Sequence, residues 1–228
     1  MRHENSFHSF ASSMKERIQQ KADELFNKYG IRSVTMDEIA TQLGMSKKTI
    51  YQYFADKDEL VDAVIGEVIE FSREVCEKDK KEAPDAIAEI FLALDMLAKI
   101  FRNMNPFIMF DLERYHPRTY KRFVDHKDKY LYQTIRQNLE RGIAEGLYRP
   151  EINVEIIARF RLESMMIMFN QDVFKGQNFT LFQLQAEILE HFLFGSASLK
   201  GYKLILKYKE ERTKKDNHYE ALPASKNK

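Results

Sequence analysis

The stretch Thr35-Met36-Asp37-Glu38-Ile39-Ala40-Thr41-Gln42-Leu43-Gly44-Met45-Ser46-Lys47-Lys48-Thr49-Ile50-Tyr51-Gln52-Tyr53-Phe54 decides how the N-terminal part of the chain folds. Thr35 and Glu38 have the spacing of a capping box and open a short helical run carrying Ile39, Ala40 and Leu43. Gly44 stops that run. After Met45 a second good N-cap, Ser46, starts a helix over Lys47 to Phe54 with Ile50 and Phe54 on one face. Two helices joined by a short Gly-containing turn have the proportions of a helix-turn-helix. The outward positions of the second helix are Lys47, Lys48, Thr49, Tyr51, Gln52 and Tyr53, with no acid among them, so the segment is locally +2. Lysines reach guanine edges or phosphates, Thr and Gln reach base edges, and Tyr hydroxyls hold phosphate oxygens. The helix starts at Thr35, Ser46 and Asp56 add backbone amide donors for phosphate.

Charge does not settle the matter. Residues 1–62 hold nine Lys and Arg against ten Asp and Glu, a net of −1, so affinity for DNA has to come from a local patch. A helix-turn-helix pattern also recurs in helical proteins that never touch DNA.

Working outward, Met14, Ile18, Ala22, Leu25, Phe26 and Tyr29 form one apolar stripe of a preceding helix that Gly30 ends. Asp56 and Glu59 repeat the capping-box spacing and start a helix through Leu60, Val61, Val64, Ile65, Val68 and Phe71. The charged run 77–82 reads as a surface connection before Pro84. Beyond it the pattern predicts helices over 85–102, 106–114, 118–145, 154–174 and 181–208, about nine in all. The expected division is a helix-turn-helix domain at 10–56, a helical effector-binding and dimerisation domain at 57–208, and a charged, disordered tail at 209–228.

Composition agrees with an all-α chain. Eight Gly and five Pro in 228 residues leave few turns and long elements. A single cysteine, Cys76, makes no intramolecular disulfide, and the N-terminus has no apolar signal segment, so a cytoplasmic location is expected. No apolar run approaches the length of a membrane span, and a soluble protein without a membrane partner is expected.

Across residues 17–60 the chain resembles the tetracycline-repressor-like (TetR) transcriptional regulators. The resemblance rests on Ala22, Leu25-Phe26, Gly30, Val34-Thr35, Ile39-Ala40, Gly44, Ser46, Thr49, Ile50-Tyr51, Tyr53-Phe54, Lys57, Asp58 and Leu60, at fixed spacing without gaps. It implies that Ala22, Leu25, Phe26, Ile39, Ala40, Ile50 and Phe54 build a small core. It further implies that Thr35, Ser46, Thr49, Tyr51, Tyr53 and Lys57 hold the DNA backbone while Lys47, Lys48 and Gln52 face bases. Lys48, Leu43 and Met45 depart from the family's usual residues, and Lys48 stands either as a base reader or as an added phosphate contact.

In the C-terminal half Ile157, Phe160, Leu184, Ile188, Phe192, Gly195 and Leu199 lie along broad apolar faces, and Gly195, Ala197, Ser198 and Gly201 permit close helix approach. The family pairs its last two helices across a dimer, so a homodimer on a near-palindromic double-stranded operator is expected. The set Phe101, Met104, Phe107, Met165, Met166 and Phe169 either lines a pocket for a small lipophilic or aromatic effector or is plain core. Asp95, His116, Arg161, Glu163 and Asn170 are polar groups beside it.

Repression is the family's commoner habit; a helical ligand-binding or scaffold dimer without specific DNA binding is the alternative. Catalysis, a cofactor and a metal are not expected. Glu113 and His116 form a lone Glu-x-x-His pair, half of what a dimetal site needs, and no phosphate-cradling Gly-rich loop is present.

Overall fold

The computed structural model describes residues 13–170 and 172–220. Helices α1 (Met14–Tyr29), α2 (Met36–Gln42), α3 (Lys47–Tyr51), α4 (Lys57–Glu82), α5 (Ala86–Phe101), α6 (Ile108–Tyr115), α7 (Pro117–His126), α8 (Tyr132–Ala144), α9 (Val154–Ser164), α10 (Leu181–Ser196) and α11 (Leu199–Glu220) follow in order. The fold is all-α, and the only β pairing among the described residues is one isolated bridge, Tyr148 with Ala197. The chain separates into two compact units, Met1–Phe71 with Asn103–Val124, and Ser72–Arg102 with Asp125–Lys228. Sequence places a boundary at 56/57. Compactness instead assigns the first half of α4, all of α6 and most of α7 to the N-terminal unit.

The N-terminal unit begins as its caps dictate. Ser13 and Glu16 form a reciprocal capping box on α1, Thr35 accepts from the Glu38 amide, and Ser46 accepts from the Thr49 amide. All seven core residues implied by the family resemblance are buried, joined by Ile18, Ile31, Val34, Leu60, Val61, Ile108 and Leu112. Gly30 ends α1 at φ 82, where a side chain would be strained and would also stand 3.2 Å from Asp111 Oδ2. That carboxylate is buried because it accepts from the Arg32 amide at 2.8 Å, which ties α6 to the turn after α1. His116 is held by Asp58, its Nδ1 2.6 Å from Oδ1. Asp62 receives Thr119 at 3.1 Å and Arg122 at 3.1 Å.

In the C-terminal unit α5, α8, α9, α10 and α11 enclose a core of Ile87, Leu139, Tyr148, Leu162, Leu189, Phe192, Leu193 and Ile205. Asn138 is its polar pivot. It donates to the Ala86 carbonyl at 2.9 Å and accepts from the Tyr148 hydroxyl at 3.1 Å. Arg141 gathers the Ala83 carbonyl, Glu89 and Glu145.

Several expected boundaries move. The charged run 77–82 is not a connection but the end of α4, because Lys and Glu are good helix formers and no breaker stands before Pro84. Glu77 accepts from the Tyr130 hydroxyl, Lys80 donates to Gln137, and Asp79 is buried. The expected helix 118–145 contains a π-helical turn at Lys127–Leu131, which seats the buried Lys127 on Glu163 and Asp128. The helix expected over 154–174 stops at Ser164, whose hydroxyl donates to the Arg161 carbonyl, and a short 3₁₀ turn, Ile167–Phe169, follows.

The helix expected over 181–208 is two helices. Ala197 is extended, Ser198 Oγ accepts from the Gly201 amide, and the Ser198 amide donates to the Leu147 carbonyl. α11 then runs on to Glu220, well into the segment expected to be a disordered tail, while 221–228 lie outside the described residues.

Candidate functional site

Ser46 fixes the start of α3. Its Oγ takes the Thr49 amide and lies 2.9 Å from the Thr49 hydroxyl, so both side chains are engaged in shaping the helix. Ile50 and Phe54 anchor the opposite face in the core. The helix is shorter than expected because the chain tightens after Tyr51, where the Gln52 and Tyr53 amides donate to the Thr49 and Ile50 carbonyls. The tightening leaves Lys47, Lys48, Tyr51, Gln52 and Tyr53 exposed.

These positions are not equivalent. Lys47 donates to Asp37 at 3.0 Å, and that carboxylate holds the ammonium above the ordinary lysine range. Its Nζ also stands 5.9 Å from the centre of the Tyr51 ring. Lys48, Gln52 and Tyr53 have side chains without a hydrogen bond or ion pair among the described residues, so their donors are open to a partner. Thr35 is exposed but engaged as a cap. Lys57 is half-buried and donates to the Ile31 carbonyl at 2.6 Å, and burial pulls its pKa below the usual lysine value against the opposing pull of Asp111 and Asp58. In this arrangement Lys57 braces the turn after α1. Lys48, Tyr51, Gln52 and Tyr53 form the free face, and it carries the chemistry that phosphates and base edges require.

The C-terminal unit holds two further features. The first is a cavity of about 90 Å³ walled by α4, α5, α8, α9 and α10, with Cys76, Asp79, Glu89, Met96, Arg161 and Met165 among its lining residues. Burial pushes the Cys76 thiol up to about 11, so it stays protonated and a poor nucleophile at neutral pH. The second is an open groove between α9 and α10 lined by Phe160, Met166, Ile167, Ile188 and His191.

The six residues expected to line an effector pocket are divided between the two units, and those of the C-terminal unit fall on different features. Met165 lines the cavity and Met166 the groove. Phe101 and Phe169 pack edge to face at 6.1 Å, while Met104 and Phe107 belong to the N-terminal unit. Of the polar groups beside them, Asp95 is bonded by Arg212, His116 by Asp58 and Glu163 by Lys127. Arg161 alone of that set is buried and unpaired among the described residues. Gln185 was missed, although the sequence carries a signal: it sits four residues after Leu181 and four before Leu189, a polar residue inside an apolar stripe.

Of the expected dimer residues, Phe160 is exposed and Ile188 lines the groove beside it. Leu184 is half-buried, Ile157 and Phe192 pack in the unit's own core, and Gly195 and Leu199 are exposed. Gly201 makes a close crossing over Leu147 within the protomer.

Residues 18–64 match the family of bacterial regulatory proteins described as tetR. Among curated relatives, the chain is similar to YvaF of Bacillus subtilis (strain 168), an uncharacterized HTH-type transcriptional regulator, at 29% identity over 107 residues; this covers 45% of this chain and 54% of YvaF, little more than half its length. It is also similar to KstR2 of Mycobacterium tuberculosis, an HTH-type transcriptional repressor, at 24% identity over 154 residues, covering 65% of this chain and 76% of KstR2. Among solved structures, a transcriptional regulator from Cytophaga hutchinsonii superposes with a TM-score of 0.62 at 24% identity, covering 80% of this chain and 98% of the other, which establishes the shared fold.

Proposed function

We propose that this chain, a TetR-like transcriptional regulator, acts as a homodimeric repressor that holds a near-palindromic operator and releases it when a small effector enters the C-terminal unit. The observation that carries the reading is the free face of α3. Lys48, Tyr51, Gln52 and Tyr53 point outward from a helix whose other side is locked by Ile50 and Phe54. A two-fold dimer presents two such faces to successive major grooves, which lets a pair of modest patches read one site. The near-neutral charge of residues 1–62 fits that arrangement, because each protomer then neutralises only a few phosphates.

The exposed groove supports dimerisation through α9 and α10, since the apolar side chains of Phe160, Met166, Ile167 and Ile188 along it, rimmed by Glu163, Glu187 and His191, are unfavourable unless covered. Helix α4 offers the link to the effector. Its first turn carries Lys57 and its later turns carry Cys76 and Asp79 of the cavity wall, so a ligand that displaces those turns acts on the same helix that braces the DNA-reading unit. Coupling of about 1–3 kcal/mol would change operator affinity some 5- to 150-fold.

Phe160→Glu tests the dimer. The side chain is exposed in the protomer, so the fold should survive, while a charge placed in the apolar strip should give a monomer in light scattering. Operator affinity should fall by about 100-fold or more as the two half-sites lose their linkage. A variant that stays dimeric and keeps full affinity overturns the proposed interface.

A further inference from the structure

The cavity of the C-terminal unit contains an unanswered charge. Arg161 is 4% exposed and lines the cavity, yet its guanidinium makes no hydrogen bond or ion pair among the described residues and its Nη1 is buried without a partner. Among the described residues the Phe192 ring stands nearby, 5.7 Å from centroid to Cζ. Burial alone acts on it and lowers its pKa to about 10, which still leaves it a cation at neutral pH. An isolated buried charge is among the costliest arrangements a fold can hold.

The acids of the same cavity do not relieve it. Glu89 is bonded by Arg141 at 3.1 Å, and burial raises the pKa of both Glu89 and Asp79 toward their neutral forms. Gln185 adds a second unmet demand. It is fully buried, with neither amide atom partnered, and it precedes Leu189 and Phe192 by four and seven residues, on the α10 face that supplies two cavity-lining side chains.

We propose that the C-terminal unit binds a small carboxylate, with the acid group seated on the Arg161 guanidinium and a short apolar body filling the space beside Met96, Leu97, Ile135 and Leu189. The planar fork of Arg matches a carboxylate at two points, which a point cation does not. The rest of the wall is mostly apolar and offers little to a second strongly hydrated group. Size narrows the class. A dry cavity of about 150 Å³ accepts benzene, so a space of about 90 Å³ suits an acid with a chain of a few carbons. Met96 and Met165 supply adaptable side chains that can accommodate its shape. The proposal rests on reading this unit as the effector domain and names the chemistry of its ligand.

The test uses the full-length protein, calorimetry and thermal shift. Straight-chain carboxylates from acetate to octanoate are compared with their amides and with amines of equal length, and operator binding is followed in parallel by fluorescence anisotropy. Binding should peak at one short chain length, and the amide and amine should bind at least about 10-fold more weakly. Arg161→Met should lose carboxylate affinity by about 10- to 100-fold while the unliganded protein melts at the same or a higher temperature, because a buried unpaired charge has been removed. A merely structural arginine would lower it. Arg161→Lys keeps the charge without the fork and should fall between; if Arg161→Met does not fold, the preference of the unmodified protein for acid over amide decides.

Equal binding of acid and amide, or undiminished carboxylate affinity in Arg161→Met, overturns the proposal. No carboxylate binding by a protein that still recognises its operator overturns it as well and leaves the regulator reading intact. Carboxylate binding through Arg161 without operator recognition upholds the site and overturns the regulator reading.

Discussion

Gly201→Ala is expected to destabilise the protein by about 3 kcal/mol, a fall of roughly 6–12 °C in Tm for a chain of this size. Helix α11 starts at Leu199 and crosses the chain so closely at Leu147 that an added methyl would stand 2.0 Å from the Leu147 carbonyl oxygen. The obstacle is backbone, which cannot rotate away as a side chain can. The same oxygen accepts from the Ser198 amide at 2.9 Å, and the Ser198 hydroxyl donates to the Gly146 carbonyl at 2.7 Å. Moving α11 to make room therefore loosens both bonds and uncovers the buried Ile205. Gly195→Ala is the control. Nothing of the same protomer lies within 4 Å of a methyl there, so in the monomeric Phe160→Glu background the helix gains up to about 1 kcal/mol from the better helix former. Thermal denaturation of the two variants checks the pair, and a Gly201→Ala protein melting with the parent would contradict the seating of α11 on the 146–148 turn.

The second large effect concerns DNA. Lys48→Ala combined with Tyr51→Ala is expected to weaken operator binding by about 10³-fold or more, because two contacts are lost in each of two protomers and each is worth roughly 1–3 kcal/mol. Both side chains are exposed, so Tm should change little. The salt dependence separates the two roles open to Lys48. If it holds a phosphate, the slope of log K against log salt should flatten by about 1.8 for the two copies; if it reads a base, the slope should hold while discrimination between operator and scrambled DNA narrows. Lys47→Ala should do less, since its ammonium is already engaged by Asp37. Equal losses for Lys47 and Lys48 would show that the Asp37 pairing is given up on DNA.

The sequence was most informative where the physics is local. Thr35, Ser46 and Asp56 announce their helices because a cap is decided within three residues, and Gly30 ends α1 because only glycine takes φ 82 without strain. The exposed face of residues 47–53 was legible for the same reason: Ile50 and Phe54 turn inward and leave Lys47, Lys48, Tyr51, Gln52 and Tyr53 outward. What was not legible depends on distant partners. Nothing near Ser164 or Ala197 marks a helix end as strongly as Gly30 does; those breaks follow from the Arg161 carbonyl and from the turn at Leu147. The run 77–82 looks like solvent-exposed chain until Tyr130 and Gln137 supply its partners, and with it the α4 wall of the cavity was lost from view. Lys57 is expected on DNA because its spacing matches the family; its bond to the Ile31 carbonyl was not legible, because that partner lies 26 residues away in sequence. Arg161 could be named from sequence as polar beside an apolar stripe. Its isolation could not, because an unpaired charge is defined by what fails to approach it.

The most direct test of the central claim is fluorescence anisotropy of the protein on the DNA upstream of its own gene and on a scrambled duplex of equal length, at near-physiological salt. The account predicts a preference of at least ~10³ for the upstream DNA, within the range of specific regulators, with binding that weakens steeply as salt rises. Equal, weak binding to this duplex, its scrambled partner and every other stretch of the surrounding genome would contradict it.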